Sequence, residues 1–302
     1  MTEAAPHEIR FYLVDVFTDN PLAGNPLAVV PDARRLDDLT MRRIAREFNQ
    51  SETTFLLPPS RPGATFHLRS FTPAGVEVFG AGHNALGAWW WLADAGKVSL
   101  NGQRSSFVQE IGGNLLPVEV VSEGGKVSLV VMTQSAPSFG AMVENTPALA
   151  AALNLAEADL AVEQLPAQVV WTGAPHLLVP VRSRARLDRA WPDAERLAPL
   201  LRSVAGQGCY LFSLEPNGAD AIAHARFFNP TVGIWEDPAT GSAAGPLACH
   251  LIAHGLAEAG ATLVIEQGYA MARPSRIEVR VHGDRVEVAG RAVVVAEGSL
   301  RV

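Results

Sequence analysis

The sequence contains only two lysines, Lys97 and Lys126, and only two cysteines, Cys209 and Cys249. A pyridoxal phosphate enzyme holds its cofactor as a Schiff base with a lysine, and both lysines here stand in G-K-V-S-L, which is typical of a surface turn before a strand. The cysteines fall in a predicted strand and a predicted apolar helix, which suits buried thiols better than a disulfide or a metal site. We therefore expect neither a cofactor nor a metal.

Long apolar runs and large basic clusters are also missing. No stretch approaches the ~20 apolar residues that span a bilayer. The N-terminus, M-T-E-A-A-P-H-E-I-R, has no basic region followed by an apolar run, so it does not read as a signal peptide. The net charge of -7 argues against nucleic-acid binding. We expect a cytoplasmic protein that binds neither a membrane nor a nucleic acid.

The stretch that organises the chain is residues 227–251, F-F-N-P-T-V-G-I-W-E-D-P-A-T-G-S-A-A-G-P-L-A-C-H-L. The acidic pair Glu236 and Asp237 precedes a proline turn, and an apolar run after Ser242 predicts a helix. A carboxylate thus lies beside a helix N-terminus, whose N–H groups and partial positive charge favour an anion. Taken alone, the same residues would also make an ordinary turn and cap.

A similar segment occurs upstream, in residues 71–93, F-T-P-A-G-V-E-V-F-G-A-G-H-N-A-L-G-A-W-W-W-L-A. Gly82 and His83 occupy the places of Gly241 and Ser242. The three successive tryptophans, residues 89–91, are about 100° apart on a helix, so that helix must be enclosed on nearly all sides. We infer a two-fold internal repeat in which each half wraps a sheet around a buried helix and directs its N-terminus at a shared cleft.

Strand patterns dominate the chain and predicted helices are few, which favours an α+β fold over a doubly wound parallel sheet. We place an N-terminal domain at residues 1–116, joined by a returning strand at residues 292–302, and a C-terminal domain at residues 117–291. Residues 133–158 read as a connector with a surface helix. His250 and His254 have i, i+4 spacing but no third ligand pattern, so they do not predict a metal site.

Four sequence blocks together resemble the phenazine biosynthesis PhzF-like family: V-D-V-F-T-D-N-P-L-A-G-N-P-L-A-V-V, S-E-T-T-F, G-A-G-H-N-A-L-G and E-D-P-A-T-G-S-A. They span most of the chain in the family's order. The resemblance implies a diaminopimelate epimerase-like fold, with two pseudo-symmetric domains that each have a β-barrel-like sheet around a central helix. It agrees with the repeat inferred from the residues.

The resemblance also implies site residues. The catalytic set comprises the general acid/base and two polar residues that line the site: Glu52, His83 and Asp237. The substrate-binding set comprises the helix-start glycines and a neighbouring hydroxyl: Gly82, Gly241 and Ser242. Related epimerases have a pair of cysteines in these two motifs, and this chain has none there, which disfavours a two-thiol racemase.

The expected activity is that of a cofactor-independent isomerase that moves a proton between carbons of a small cyclic or amino-acid-like carboxylic acid, and we expect it to be a homodimer. In the family's named member the substrate is trans-2,3-dihydro-3-hydroxyanthranilate. A positioned carboxylate that removes and returns the proton, with fixed donors around the developing charge, accounts for such a reaction. Two alternatives stay open: a two-base racemase, epimerase or dehydratase that uses Glu52 and Asp237, and a binding protein that turns nothing over.

Overall fold

The computed structural model describes residues 8–160, 162 and 165–302 of the chain. Residues 1–7, which carry most of the segment used to predict that there is no signal peptide, lie outside the described residues. The chain divides into two compact units. The first ends at Met132 and also includes Gly290–Val302, and the second is Thr133–Ala289. Residues 117–132, which the sequence analysis placed in the C-terminal domain, belong to the first unit. Their strands continue an antiparallel meander that begins with the strand at residues 104–111.

The chain forms eighteen strands and seven helices among the described residues. The strands are β1 (Glu8–Val16), β2 (Asn25–Val30), β3 (Glu52–Leu57), β4 (Phe66–Phe71), β5 (Glu77–Val78), β6 (Arg104–Ile111), β7 (Asn114–Glu123), β8 (Lys126–Gln134), β9 (Ser138–Met142), β10 (Gln168–Trp171), β11 (Pro175–Pro180), β12 (Gly208–Ser213), β13 (Ala223–Asn229), β14 (Ile234–Asp237), β15 (Thr262–Gln267), β16 (Ser275–His282), β17 (Arg285–Gly290) and β18 (Ala292–Arg301). The helices are α1 (Asp38–Phe48), α2 (His83–Asp94), α3 (Thr146–Leu153), α4 (Glu157–Leu160), α5 (Arg184–Leu187), α6 (Ala194–Ser203) and α7 (Gly241–Ala253).

The first unit is built on a mixed, mainly antiparallel sheet. β1 pairs antiparallel with β18 and β2, β2 pairs parallel with β3, and β3 pairs antiparallel with β4. β4 pairs antiparallel with the short β5 and parallel with β6, and β6, β7 and β8 follow as an antiparallel meander. Helix α1 connects the parallel strands β2 and β3, and α2 connects β5 to β6.

The second unit repeats this pairing order and these directions strand by strand. β10 pairs antiparallel with β9 and β11, β11 pairs parallel with β12, and β12 pairs antiparallel with β13. β13 pairs antiparallel with β14 and parallel with β15, and β16 and β17 complete a second meander. The internal repeat inferred from two motifs therefore extends to the topology of both units.

The register of the paired strands shows which residues of the two units correspond. Glu52 and Gly208 are the first residues of two corresponding parallel strands, β3 and β12. Val78 and Asp237 hold corresponding places opposite β4 and β13, and each stands four residues before a helix-start glycine. The register therefore aligns Gly82 with Gly241 and His83 with Ser242, as the motif comparison predicted.

The predicted enclosed helix is α2. Ten of its residues are buried, and Trp89 and Trp91 are 0% and 4% exposed. The backbone at Gly87 lies so close to β1 and β2 that an added Cβ would come within 2.6 Å of Val16 and 2.7 Å of Leu27. Helix α7 is buried in the same way in the second unit, from Gly241 to Leu251. Burial on nearly every face explains why neither helix has an amphipathic pattern.

The segment after residue 133 differs from its prediction. It contains a strand, β9, that pairs with β10 and that the sequence analysis did not identify. The predicted surface helix is α3: Pro147, Ala148 and Ala151 are exposed, while Leu149 and Leu153 are fully buried in a hydrophobic core of the second unit. Among the described residues, every helix is too short or too polar to cross a bilayer.

Candidate active site

Glu52 and His83 lie side by side in the first unit. Glu52 is the first residue of β3 and His83 the first residue of α2, and the Glu52 Oε2 atom is 4.0 Å from the His83 Nε2 atom. The side chain of Glu52 is 16% exposed and that of His83 is 9% exposed. The structure thus places a partly accessible carboxylate next to an almost buried imidazole.

The contact between these side chains is not an ion pair at neutral pH. Burial lowers the pKa of His83 to about 3, so the imidazole is uncharged. Its Nε2 atom has no hydrogen-bond partner among the described residues. His83 can therefore give or accept one hydrogen bond to a ligand without bringing a positive charge next to Glu52.

Asn84 fixes the first turn of α2. Its Oδ1 atom accepts a hydrogen bond from the backbone N–H of Gly82 at 2.7 Å, and its Nδ2 atom donates to Ser70 Oγ and to the Gly80 carbonyl, both at 3.0 Å. Ser70 Oγ in turn shares a hydrogen bond with Thr54 Oγ1 at 2.8 Å. This buried network ties the start of α2 to strands β3 and β4, and hence holds His83 in place. The sequence analysis missed Asn84, although its place beside His83 was the available signal.

Asp237 is held at the end of β14 by a second polar network. Its Oδ2 atom accepts a hydrogen bond from Thr240 Oγ1. Gln267 is fully buried. Its Oε1 atom accepts from the Thr240 backbone N–H at 3.1 Å, and its Nε2 atom donates to the Asp237 carbonyl at 2.7 Å. Tyr210 donates its hydroxyl to Gln267 Oε1 at 2.9 Å. The turn from Asp237 to Thr240 is thus held at both of its ends by hydrogen bonds to Gln267.

Ser242 lies one residue into α7 and contacts a residue that the sequence analysis did not identify. His176 on β11 places its Nε2 atom 3.2 Å from Ser242 Oγ. His176 is only 3% exposed, and burial lowers its pKa to about 4, so it is also neutral at physiological pH. No motif marks His176, because it stands in an apolar strand, P-H-L-L-V-P, where a histidine reads as a core residue.

The N-terminus of α7 presents backbone N–H groups rather than a side-chain cap. Thr240 precedes the helix without capping it through its side chain, and the same is true of Gly82 before α2. On the other side of the turn, Gln134 donates from Nε2 to the Gly241 carbonyl at 3.0 Å and accepts from Thr172 Oγ1 at 2.7 Å. Each helix start therefore has the geometry that suits an anionic group.

Two other buried carboxylates have a structural role and hold corresponding places in the repeat. Glu110 accepts hydrogen bonds from the backbone N–H groups of Ser60 and Arg61, and Glu266 accepts them from those of Asn217 and Gly218. Each pairs in register with a histidine, His67 or His224. Both glutamates tie down the loop before that histidine's strand, which accounts for their burial without a catalytic function.

The thiols and the histidines of α7 do not add to the site. Cys209 and Cys249 are buried, and burial raises the pKa of both, that of Cys249 to about 11. His250 and His254 have ring centroids 4.4 Å apart. Within the described part of the chain, no three histidine, cysteine, aspartate or glutamate side chains are grouped so as to hold a metal ion.

The structure therefore brings together the predicted residues of each unit. Glu52, His83 and Gly82 lie at one helix start, and Asp237, Gly241 and Ser242 lie at the other. The first set offers a carboxylate base beside a neutral imidazole. The second offers a carboxylate acceptor, a hydroxyl and a helix N-terminus, which are groups that bind a small polar acid.

Known proteins resemble the chain over nearly its whole length. The family model described as phenazine biosynthesis-like protein matches residues 14–298. A trans-2,3-dihydro-3-hydroxyanthranilate isomerase of Pseudomonas chlororaphis is 34% identical over 296 residues, which cover 96% of this chain and 99% of the relative. Such a match over both full lengths leaves no large part of either chain without a counterpart.

Solved structures agree with the sequence match. A PhzF-family phenazine biosynthesis protein of Bacillus anthracis has a TM-score of 0.89 at 29% identity, covering 98% of this chain and all of that one. A probable proline racemase of Agrobacterium radiobacter has a TM-score of 0.65 at 13% identity, covering 97% and 92% of the two chains, so it shares the fold alone. The chain therefore belongs to the phenazine biosynthesis-like protein family and is an isomerase.

Proposed function

We propose that this isomerase needs no cofactor and moves a proton between two carbons of a small carboxylic acid, with Glu52 as the group that carries the proton. The observation that carries the proposal is the position of Glu52: a partly accessible carboxylate at the start of β3, 4.0 Å from a neutral imidazole whose Nε2 atom has no hydrogen-bond partner among the described residues. The uncharged His83 adds no positive charge beside this carboxylate, which can take a proton from a bound substrate.

The reaction balances without a further reactant. The Glu52 carboxylate takes the hydrogen of the donor carbon as a proton, and the electron pair of that C–H bond shifts into the conjugated system of the substrate. The carboxylic acid then returns the proton to the acceptor carbon, and a double bond has moved. Fixed hydrogen-bond donors stabilise the charge that develops between the two steps. His83, being neutral, acts here as a hydrogen-bonding partner.

Taken by itself, the helix start of the second unit suits an acid. The N–H groups at the start of α7 and the Ser242 hydroxyl can donate to a carboxylate, and Asp237 can accept from an amino or hydroxyl group. Trans-2,3-dihydro-3-hydroxyanthranilate, on which the Pseudomonas chlororaphis relative is named to act, has a carboxylate, an amine and a hydroxyl. It is the first substrate to test.

A two-base racemase is less well supported by the repeat. Glu52 has Gly208 as its counterpart at the start of the corresponding strand, so the second unit has no carboxylate in the equivalent position. Asp237 corresponds to Val78 and already accepts a hydrogen bond from Thr240. The repeat therefore supplies one base of this kind, which suits removal and return of a proton by a single group.

The finer features of the architecture are part of the proposal. We expect each unit to be one domain of a diaminopimelate epimerase-like fold with a barrel-like sheet around α2 or α7, and the protein to be a cytoplasmic homodimer. Light scattering of the purified protein would measure its mass in solution, and a dimer should have twice the 32.1 kDa of a single chain.

The experiment that tests the proposal is a direct assay. Purified protein is mixed with trans-2,3-dihydro-3-hydroxyanthranilate in the presence of a metal chelator, and the loss of substrate is followed by its absorbance and by NMR. Turnover by the wild-type protein that is lost in Glu52→Gln and slowed in both His83→Ala and Asp237→Asn supports the proposal. Full activity of Glu52→Gln contradicts it.

A further inference from the structure

Among the described residues, the buried His176 ring makes one hydrogen bond, and that bond goes to a residue of the proposed site. His176 Nε2 lies 3.2 Å from Ser242 Oγ, while the edge of the ring packs against Phe227, with ring centroids 5.0 Å apart and planes at 88°. The other ring nitrogen, Nδ1, has no hydrogen-bond partner among the described residues. Apart from this one bond, the imidazole is therefore in an apolar setting, which is costly for a polar ring.

The fold leaves room for this ring through a glycine. A Cβ atom added at Gly208, on the neighbouring strand, would come within 2.4 Å of Phe227 and 3.1 Å of His176 Nδ1. Gly208 is the counterpart of Glu52 in the repeat, and His176 is the counterpart of Leu27. The first unit thus supplies its polar group from β3, whereas the second unit omits that side chain and supplies a polar group from the adjacent strand β11.

The position of the His176 proton follows from its surroundings. A neutral imidazole carries one hydrogen, on Nδ1 or on Nε2. A hydrogen on Nδ1 would be a buried donor with no acceptor, which is costly and rare, whereas a hydrogen on Nε2 is donated to Ser242 Oγ. The serine hydroxyl has one hydrogen and two lone pairs, so after accepting from His176 it still has its own hydrogen to donate.

We propose that His176 is a positioning residue that holds the Ser242 hydroxyl as a donor to the substrate carboxylate at the start of α7. The inference rests on the proposed function, since the substrate acid and its place beside α7 come from there. A serine hydroxyl without this partner could rotate toward the Thr240 end of the turn or toward solvent. The bond from His176 removes that freedom before the ligand arrives.

The test is a double-mutant cycle with 3-hydroxyanthranilate as the probe, an aromatic acid that keeps the carboxylate but has no saturated ring carbon to react. Ser242→Ala is expected to raise the Kd of the probe ~10-fold, which is the effect of one hydrogen bond to a charged group. His176→Leu is expected to raise it 5- to 10-fold, and the double variant no more than about twofold beyond Ser242→Ala. His176→Gln, whose side-chain N–H can reach the same oxygen, is expected to stay within about threefold of the wild type.

The matched control is His250→Leu. His250 is also buried in the second unit, also meets a phenylalanine edge-on, Phe212, and also has a pKa lowered by burial to about 4. It lies two turns along α7 from Ser242, so its loss is expected to leave the Kd of the probe unchanged. A Kd that rises equally in both leucine variants would show a general loss of packing and would overturn the inference.

Three further outcomes would overturn it. One is additivity, with the double variant as weak as the product of the two single effects. The second is ¹⁵N NMR showing the proton of His176 on Nδ1 at pH 7, a readout that remains available if His176→Leu does not fold. The third is failure of the wild-type protein to bind either 3-hydroxyanthranilate or benzoate.

The outcomes separate this inference from the proposed function. Coupling between His176 and Ser242 in binding the probe, without turnover of trans-2,3-dihydro-3-hydroxyanthranilate, supports the positioning role and rejects the substrate. Turnover that depends on Glu52, without coupling between His176 and Ser242, supports the function and rejects the positioning role.

Discussion

The carboxylate of Glu52 lies 4.0 Å from the imidazole of His83, and that imidazole is uncharged because burial lowers its pKa to about 3. The two side chains come from the first residue of a strand and the first residue of a helix, and a buried network around Asn84 holds that helix start in place. Because His83 is neutral, it adds no positive charge beside the carboxylate that we propose as the base. The proposed mechanism depends on this relationship more than on any other in the molecule.

We predict that Glu52→Gln folds normally and loses ~100- to 10,000-fold in kcat/KM, which is the usual contribution of a general acid/base. The matched control is Glu287→Gln. Glu287 has a similarly shielded side chain, 12% exposed against 16%, and pairs with Arg285 away from the site residues of its own unit. Its activity is expected to stay within about twofold of the wild type. Equal losses in the two variants would mean that the assay reports folding and not catalysis.

The low pKa of His83 predicts that acid destabilises the protein. The unfolded chain takes up a proton on this histidine near pH 6.5, while the folded chain does so only near pH 3, so stability is present above pH 6.5 and is lost as the pH falls toward 3. At pH 4.5 the loss from His83 is about 2 to 3 kcal/mol relative to pH 7.5.

Urea unfolding at pH 7.5 and 4.5 checks this prediction by comparing the wild type with His83→Gln. The variant is expected to lose about 2 kcal/mol less on acidification than the wild type. His282→Gln, at an exposed histidine, serves as the control and is expected to behave like the wild type. The same drop in His83→Gln as in the wild type would contradict the assignment of a neutral, buried His83.

The repeat predicts matching effects at Glu110 and Glu266. Each glutamate accepts backbone N–H bonds from the loop that precedes the fourth strand of its unit's repeat, β4 or β13. Glu110→Gln and Glu266→Gln should each lower the free energy of unfolding by about 1 to 3 kcal/mol, because an amide group cannot accept all of the bonds that the carboxylate accepts. The activity per folded molecule should not change. A loss of catalysis with unchanged stability would instead make that glutamate part of the site.

Gly245 offers a test of how α7 is seated. An added Cβ would come within 1.9 Å of Gln134 Oε1 and displace that side chain, which bonds to Gly241 and Thr172. Gly245→Ala is therefore expected to destabilise the protein by about 1 to 3 kcal/mol. In a Gln134→Ala background only the contact with Thr172 Oγ1, at 3.2 Å, remains, and the same change should cost clearly less, since alanine also favours a helix over glycine by about 1 kcal/mol. Destabilisation of equal size in both backgrounds would contradict this account.

The sequence predicted most strands and helices. It also predicted which residues stand at the starts of α2 and α7, because these features depend on local pattern. Aromatic and β-branched residues marked β1, a β-rich piece marked β16, and the triple tryptophan marked α2 as an enclosed helix. The contribution of His176 could not be predicted. Its role comes from a hydrogen bond across 66 residues to Ser242 and from the space that Gly208 leaves, and neither is visible in a linear pattern.

The buried face of α3 could not be identified either. Its eight residues, T-P-A-L-A-A-A-L, show little contrast between faces, so periodicity does not mark the side that carries the buried Leu149 and Leu153. The strand β9 escaped notice because all five of its residues are exposed and it is held by pairing with β10. Contacts with partners distant in the sequence decide both elements: burial for α3 and strand pairing for β9.

The most direct measurement follows a deuterium label on the donor carbon of trans-2,3-dihydro-3-hydroxyanthranilate. The wild-type protein is incubated with this substrate, and NMR and mass spectrometry locate the label over time. If Glu52 carries the proton, the deuterium should appear at the acceptor carbon or in water, and Glu52→Gln should stop its movement while still binding 3-hydroxyanthranilate. Deuterium that moves equally fast in Glu52→Gln, or that never leaves the donor carbon while the product forms with wild-type protein, would contradict the central claim.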